Sequence, residues 1–146
     1  MLLLALPSLS LLILTLAALG QNRKGQPTDL AAALSLPVRV AVLVPAHNES
    51  VHVLPTLACL LKQLKPSDQL LVVADNCSDD TAALARAAGA RVLERHHAGL
   101  RGKGYALAFG VDALRADPPD VVLVVDADCV VSEGAVACIA QHCRAT

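Results

Sequence analysis

The sequence predicts an α/β fold with a Rossmann-like, mostly parallel sheet, because short apolar runs alternate with helical segments along most of the chain. Four such runs are predicted as strands: Val38–Val44, Leu70–Ala74, Arg91–Leu93 and Val121–Val125. Strands joined through helices in this way run parallel with right-handed crossovers, so their carboxyl ends share one edge of the sheet. Ligands of such sheets bind outside that edge.

The first strand and its following helix have clear boundary residues. Pro45 is predicted to end the strand, because proline cannot donate a hydrogen bond to a continuing ladder. Ser50 is predicted to cap the next helix, and Pro66 to stop it. The apolar positions of that helix recur at helical spacing: Val53, Leu54, Leu57, Leu60, Leu61 and Leu64.

The later elements follow the same alternation. Asp79 is predicted to cap an alanine-rich helix that Gly89 closes. After a glycine-rich loop at residues 97–104, a helix is predicted over Tyr105–Arg115, with Tyr105 and Phe109 one turn apart and in the core. The run Ser132-Glu133-Gly134 has the composition of a helix start, where serine caps and an acid favours the helix dipole.

The N-terminal 20 residues are predicted to be a membrane anchor. Leu2–Leu19 carries no charge, and as a helix it would rise about 27 Å, close to the thickness of a bilayer core. Arg23 and Lys24 follow the run, and no lysine or arginine precedes it. Because positive residues favour the cytoplasmic side of a membrane, the following domain is predicted to lie in the cytoplasm. A cleaved signal ending near Gly20 and a buried helix are the alternatives. Residues 21–37 are predicted as a linker.

Composition excludes several function classes. A net charge of −1 and only two aromatic residues give neither the electrostatic footprint nor the stacking platform that nucleic-acid binding requires. The five cysteines are odd in number and contain no CxxC pair, which favours reduced thiols over a disulfide framework or a zinc site. Adjacent His96 and His97 cannot both face one ion from an extended strand, and they are predicted to be solvated loop residues.

Polar residues follow three of the predicted strands directly, and they mark a candidate site. Residues 45–49 follow the first strand, and Asp75 and Asn76 follow the second. Asp126 and Asp128 follow the fourth, and in an extended strand they would project to the same side. Two carboxylates at a strand end suit a divalent cation that keeps several waters. Their alternative is a pair of solvated loop acids.

Four motifs in order resemble the family 2 glycosyltransferases, which have the GT-A fold and use nucleotide-activated sugars. They are PAHNE after the first strand, DNCSDDT after the second, RGKGYALAFG before the fourth and DAD at its end. The resemblance covers about Val38–Cys143. The family usually has an acidic pair at the second strand, whereas this chain has Ala74 before Asp75, so Asp75 alone is left for that role.

The resemblance implies a role for each candidate residue toward a UDP- or GDP-sugar. The base and ribose would lie against Pro45, Ala46, His47, Asn48, Glu49 and Asp75. Asp126 and Asp128 would hold Mg²⁺ or Mn²⁺ on the diphosphate, with Asp126 also facing the sugar nucleotide. Arg101 or Lys103 would lie near the diphosphate at a helix N-terminus, for which a glycine-rich surface turn with solvated cations is the alternative.

The resemblance also implies an incomplete GT-A domain over residues 38–146. The family's acceptor site and catalytic base would follow this segment, so direct displacement with inversion is expected only of a longer enzyme, and the isolated chain is expected to be inactive. No residue here can be assigned as the base, and the acceptor is unknown. The alternatives are a non-catalytic membrane-anchored nucleotide-binding module and a nucleotidyltransferase, although the latter would need a glycine-rich loop after the first strand.

Overall fold

The computed structural model describes residues 38–144, which form a four-stranded parallel sheet with helices on both faces. In chain order the elements are β1 (Val40–Ala46), a 3-10 turn (Ser50–His52), α1 (Val53–Leu61), β2 (Gln69–Asp75), α2 (Thr81–Ala87), β3 (Arg91–Arg95), α3 (Lys103–Leu114), β4 (Val121–Val124) and α4 (Ala135–Arg144). The strand order is β3-β2-β1-β4. The predicted parallel α/β sheet is therefore confirmed.

Alternating side chains of the central strands bury two separate apolar layers. Helices α1, α2 and α4 cover one face, where the core includes Val42, Val44, Leu57, Val72, Ala85 and Val136. Helix α3 covers the other face, where the core consists of Ala41, Leu43, Leu71, Val73, Ala106 and Leu114. Because both faces of β1 and β2 are covered, β1 is apolar throughout and β2 is apolar from Leu70 to Ala74, as buried parallel strands are.

Strand β1 continues through Pro45, so the prediction that this proline ends the strand was wrong. Pro45 pairs in register with Val73 of β2. On the other side the ladder with β4 ends at Leu43, whose carbonyl accepts the N–H of Val125 at 3.1 Å. The N–H and C=O groups of successive residues in a strand point to alternate neighbouring strands, so the backbone of Pro45 points toward β4, as that of Leu43 does. The pairing with β4 has already ended at Leu43. No ladder bond is lost there.

Ser50 does not cap α1, contrary to the prediction. It lies in the 3-10 turn with a φ of 46°, and its hydroxyl donates to Asp80 Oδ1 at 2.6 Å. Its backbone N–H also bonds Thr81 at the start of α2, at 2.8 Å, so both groups of the serine are used toward that helix. Gly89, in contrast, has a φ of 100° and follows the end of α2, where the N–H of Ala90 closes the helix onto Ala85 at 3.1 Å. That is the glycine-terminated ending that the sequence predicts.

Tyr105 and Phe109 are not core residues, which corrects a third prediction. They are 46% and 40% exposed, while Ala106 and Gly110 face the sheet. The reason is the close approach of α3: a Cβ atom at Gly110 would lie only 2.4 Å from Leu43 Cδ1. Even a methyl group at Gly110 would clash with Leu43, and α3 packs on the sheet through Ala106, Gly110 and Leu114 while the two aromatic rings lie on its flank.

The predicted membrane anchor at residues 1–20 and the linker at residues 21–37 lie outside the described part of the chain. Between residues 38 and 144, no helix combines the length and the apolar character needed to cross a bilayer.

Candidate functional site

A cavity of about 440 Å³ lies at the carboxyl ends of β1, β2 and β4, beside the N-terminus of α3. Nine of the ten candidate residues line it: Pro45, Ala46, His47, Glu49, Asp75, Arg101, Lys103, Asp126 and Asp128. Asn76, Gly102, Ala106 and Ala127 complete the lining. Residues separated by up to 83 positions in the sequence, 45 to 128, therefore meet where parallel-sheet topology places ligands.

Asn48 is the candidate residue that does not line the cavity. Its Oδ1 accepts the backbone N–H of Ser78 at 2.8 Å, and its backbone N–H approaches Cys77 Sγ at 3.4 Å. It also adopts a left-handed conformation with a φ of 53°. Asn48 thus joins the loop after β1 to the loop after β2, and asparagine is among the residues that tolerate this conformation.

Thr81 also joins the loops that follow β1 and β2, and it was not among the residues predicted from the sequence. Its buried Oγ1 accepts the N–H groups of Glu49 at 2.9 Å and Ser50 at 2.8 Å. The hydroxyl donates in turn to Asp79 Oδ1 at 2.6 Å, which lowers the pKa of Asp79. Asp79 also accepts the N–H of Thr81 at 3.1 Å, so its carboxylate bonds the first N–H of α2, although the N-cap position belongs to Asp80 and not to Asp79 as predicted.

Asp75 is a buried residue, 5% exposed, and it lies at the wall of the cavity. Its Oδ1 accepts hydrogen bonds from Arg95 Nη1 at 2.5 Å and from Asn76 Nδ2 at 3.0 Å. Asp75 and Arg95 are register partners on β2 and β3, so the sheet itself sets this ion pair. Sequence reasoning missed Arg95 because the third strand was predicted to end at Leu93, two residues before its true carboxyl end.

Asp126 and Asp128 lie in a turn, not in the extended strand from which their common direction was predicted. Strand β4 ends at Val124, and the N–H of Cys129 closes the turn onto the carbonyl of Asp126 at 3.1 Å. Between them Ala127 is buried, and its carbonyl accepts the hydroxyl of Thr56 on α1 at 2.7 Å. The buried alanine is an anchor for the turn, and both carboxylates remain exposed at the cavity.

Basic groups reach the cavity from the start of α3. Gly102 precedes the helix with a φ of 112°, and the first helical residue, Lys103, forms an ion pair with Asp126. Arg101 lines the same wall. No acidic residue lies in the first turn of α3, so the N-terminal N–H groups and the two cations make this end of the cavity favourable for an anion.

The carboxylate pair is suited to a cation that other groups help to hold. Within the described range, no cluster of three or more His, Cys, Asp or Glu side chains could bind a metal ion by itself. Mg²⁺ and Mn²⁺ prefer oxygen ligands, and Mg²⁺ is commonly held by one or two carboxylates together with phosphate oxygens and waters. Asp126 and Asp128 supply such carboxylates, and Asp126 forms an ion pair with Lys103.

Two histidines, His47 and His97, form hydrogen bonds with backbone groups near the cavity. His47 lines the cavity, and its Nδ1 donates to the carbonyl of Asp75 at 2.7 Å. His96 and His97 are exposed, in line with their predicted place in a solvated loop. The Nδ1 atom of His97 accepts the N–H groups of Gly99 at 3.2 Å and Leu100 at 2.9 Å, which shapes the loop that leads to Arg101.

Known proteins resemble this chain in sequence and in fold. The glycosyltransferase AglD of Haloferax volcanii is 32% identical over 103 residues, which cover 64% of this chain and 16% of that protein. Glucosyl-3-phosphoglycerate synthase from Mycobacterium tuberculosis, solved with Mn²⁺, UDP and glucosyl-3-phosphoglycerate, superposes with a TM-score of 0.54 at 30% identity. The mannosyltransferase PcManGT from Pyrobaculum calidifontis, solved with GDP-Man and Mn²⁺, has the same fold, with a TM-score of 0.56 at 23% identity.

These matches span only part of the larger proteins. The synthase match covers 73% of this chain and 39% of the synthase, and the mannosyltransferase match covers 80% and 37%. The family model described as glycosyl transferase family 2 matches residues 41–145, which include every candidate site residue. On this match the chain belongs to glycosyl transferase family 2.

Proposed function

We propose that this chain binds a UDP- or GDP-sugar for a glycosyltransferase that moves the sugar to an acceptor hydroxyl with the help of Mg²⁺ or Mn²⁺. The observation that carries the proposal is the division of charge in one cavity. A carboxylate pair, Asp126 and Asp128, faces two cations, Arg101 and Lys103, and the buried carboxylate of Asp75 lies at the wall of the same cavity. A diphosphate with a metal and a nucleoside matches these three groups.

The nucleoside would lie between the loops that follow β1 and β2. Pro45, Ala46 and His47 supply its apolar and imidazole wall, and Asp75 is an acceptor for base N–H or ribose O–H groups. Hydrogen bonds to an ionised group are about twice as strong as neutral ones. The contacts of Thr81 with Glu49 and Ser50 hold this wall in place before a ligand arrives.

The diphosphate would lie between the start of α3 and the turn that carries Asp126 and Asp128. Arg101, Lys103 and the N–H groups of the helix N-terminus orient and neutralise phosphate oxygens. Asp126 and Asp128 would hold the cation, and when it is bound it offsets the negative charge that develops on the departing nucleoside diphosphate. Lys103, which pairs with Asp126 in the cavity, would also be within the region of the phosphate oxygens and could donate to one of them.

The relatives support the choice of ligand and metal. Glucosyl-3-phosphoglycerate synthase, 30% identical to this chain, is described in complexes with UDP and Mn²⁺, and with UDP-glucose and Mn²⁺ at 29% identity. The acceptor and the catalytic base are not assigned to residues of this chain. We further propose that residues 1–20 anchor the protein in a membrane with the cavity on the cytoplasmic side, since Arg23 and Lys24 directly follow the apolar run.

Calorimetric titration of the full-length protein with UDP and with GDP, each with and without Mn²⁺, tests the proposal. We expect one nucleotide to bind in a Mn²⁺-dependent way. Asp128→Ala should weaken that binding roughly 10- to 100-fold, which corresponds to the ~1.5–3 kcal/mol of a contact with a charged group. The control is Asp112→Ala, an exposed aspartate of α3 that pairs only with Arg115 at 3.3 Å among the described residues. Equal binding by the Asp128 variant and the wild type would reject the metal assignment.

A further inference from the structure

We propose that Gln63 is a positioning residue that, together with Cys59, holds the turn that carries Asp126 and Asp128 in the shape that a divalent cation requires. This inference rests on the proposed function and deepens it, because it separates the support of the metal from the support of the nucleoside. Neither Gln63 nor Cys59 lies at the cavity, so each would act on the cation only through the backbone that it bonds.

One side of α1, continued by the turn that closes this helix, carries three polar side chains: Thr56, Cys59 and Gln63. They are three and four positions apart, so they lie one above the other on the same side. All three bond backbone groups of the chain that leads away from the two aspartates. Thr56 bonds the carbonyl of Ala127, and the other two side chains bond groups further along.

Both backbone groups of Val131 are bonded by these side chains. Cys59 Sγ accepts the N–H of Val131 at 3.3 Å, and Gln63 Nε2 donates to its carbonyl at 3.3 Å. Residues 129–132 belong to neither a helix nor a strand, so side chains satisfy backbone groups here that a neighbouring strand would otherwise satisfy. The place of Val131, three residues after Asp128, is therefore set by α1 and its closing turn.

Gln63 also reaches α4. Its Oε1 accepts the N–H of Val136 at 3.4 Å, in the first turn of that helix, where N–H groups have no partner within the helix itself. The same side chain thus bonds both ends of the loop between Val131 and Val136. The amide of glutamine supplies a donor and an acceptor at once, which this double contact requires.

An ordered turn should bind a cation more tightly than a free one. Asp126 and Asp128 are both exposed, and their like charges repel each other. Because the bonds from α1 order this backbone before a cation arrives, less conformational entropy is lost on binding. The nucleoside wall has separate supports in Thr81 and Asn48, so loosening the bonds of Gln63 should change the affinity for the metal and leave that wall intact.

The experiment is calorimetry of the full-length protein, in which Mn²⁺ is titrated at a fixed concentration of the nucleotide, UDP or GDP, that the wild type binds. We expect Gln63→Met to raise the Mn²⁺ concentration for half-maximal nucleotide binding about 3- to 10-fold. Excess Mn²⁺ should restore the wild-type nucleotide affinity. Cys59→Ala should raise the same Mn²⁺ midpoint, and Cys59→Ser, which keeps an acceptor, should raise it less.

Two controls separate this role from a general loosening of the fold. Lys62→Met places the same new side chain at the exposed neighbouring position, and it should leave the Mn²⁺ midpoint unchanged. Thr81→Val loosens the support of the nucleoside wall, so it should weaken nucleotide binding in a way that excess Mn²⁺ does not restore.

An unchanged Mn²⁺ midpoint in both Gln63→Met and Cys59→Ala would overturn the inference. So would a loss of nucleotide affinity in Gln63→Met that excess Mn²⁺ leaves uncorrected, which would make Gln63 a structural residue only. If Gln63→Met does not fold, as judged by circular dichroism, the two Cys59 variants decide alone. If the wild type binds neither nucleotide in the presence of Mn²⁺, the proposed function itself fails, and this inference fails with it.

Discussion

Replacing Gly110 with alanine should destabilise the domain, although alanine is the better helix former. Gly110 lies in the middle of α3 and faces the sheet, and an added Cβ would be 2.4 Å from Leu43 Cδ1 and 3.0 Å from Val73 Cγ2. Both neighbours are fully buried on central strands. To restore a carbon–carbon separation of about 3.5 Å, the helix would have to retreat by about 1 Å or Leu43 would have to leave its rotamer.

The net effect follows from two opposing contributions to the free energy of unfolding. Alanine gains about 1 kcal/mol over glycine within a helix. Overpacking a closed core costs about 1–3 kcal/mol, and a clash with two fully buried side chains belongs at the upper end of that range. We therefore expect Gly110→Ala to lose about 1–2 kcal/mol. Because the start of α3 carries Lys103 to the cavity, nucleotide affinity should fall as well.

Gly104 provides the matched control on the same helix. No atom lies within 4 Å of a Cβ added there, so Gly104→Ala should keep or raise stability. Urea unfolding of the full-length variants can be followed by circular dichroism at about 222 nm, a helix signal, since the sequence contains no tryptophan. Equal unfolding midpoints for the two alanine variants would refute the reasoning, because only the Gly110 variant carries the clash.

Two further predictions concern the supports of the site. Thr56→Val keeps the shape of the side chain but removes its hydrogen bond to the carbonyl of Ala127, between the two aspartates. It should lower the free energy of unfolding in urea by about 1–3 kcal/mol and weaken Mn²⁺-dependent nucleotide binding in calorimetry. Unchanged stability and unchanged binding would show that this hydrogen bond does not hold the turn. The Thr81 hydroxyl lowers the pKa of Asp79, so the ionised carboxylate stabilises the fold above about pH 4, and this stabilisation is lost as the pH falls through the lowered pKa. The difference in urea midpoint between the wild type and Asp79→Asn should therefore shrink between about pH 7 and pH 3, whereas a constant difference would exclude this linkage.

The sheet could be predicted from the sequence because its apolar runs are long, alternate with helices and have few competing interpretations. The boundaries were harder, since they depend on neighbouring strands. Pro45 fits within β1 only because the pairing of β1 with β4 ends at Leu43, before the proline. The length of β4 is set by packing across the sheet, which the local sequence does not reveal. The placement of Tyr105 likewise depends on how closely α3 approaches Leu43, which helical spacing alone does not reveal.

The candidate site was predictable to the extent that it follows from topology. Residues at the ends of three strands could be named from the sequence because parallel strands bring those ends together. Arg95 fits the same rule and was missed only through a strand end misplaced by two residues. Thr81 and Thr56 could not be found in this way, because each acts from a helix through a single hydroxyl, and hydroxyls with a buried partner look in sequence like any surface threonine.

The bonds from the loop after β1 to Thr81 have a consequence for motion. The amide hydrogens of Glu49 and Ser50 belong to a turn, where exchange with solvent is ordinarily fast, yet both are donated to a buried oxygen that belongs to α2. Their exchange requires the turn to separate from that helix, so they should open with a larger cooperative unit and not with local fraying. The loop at the rim of the cavity should therefore open only with a free energy similar to that of the helix to which it is bonded.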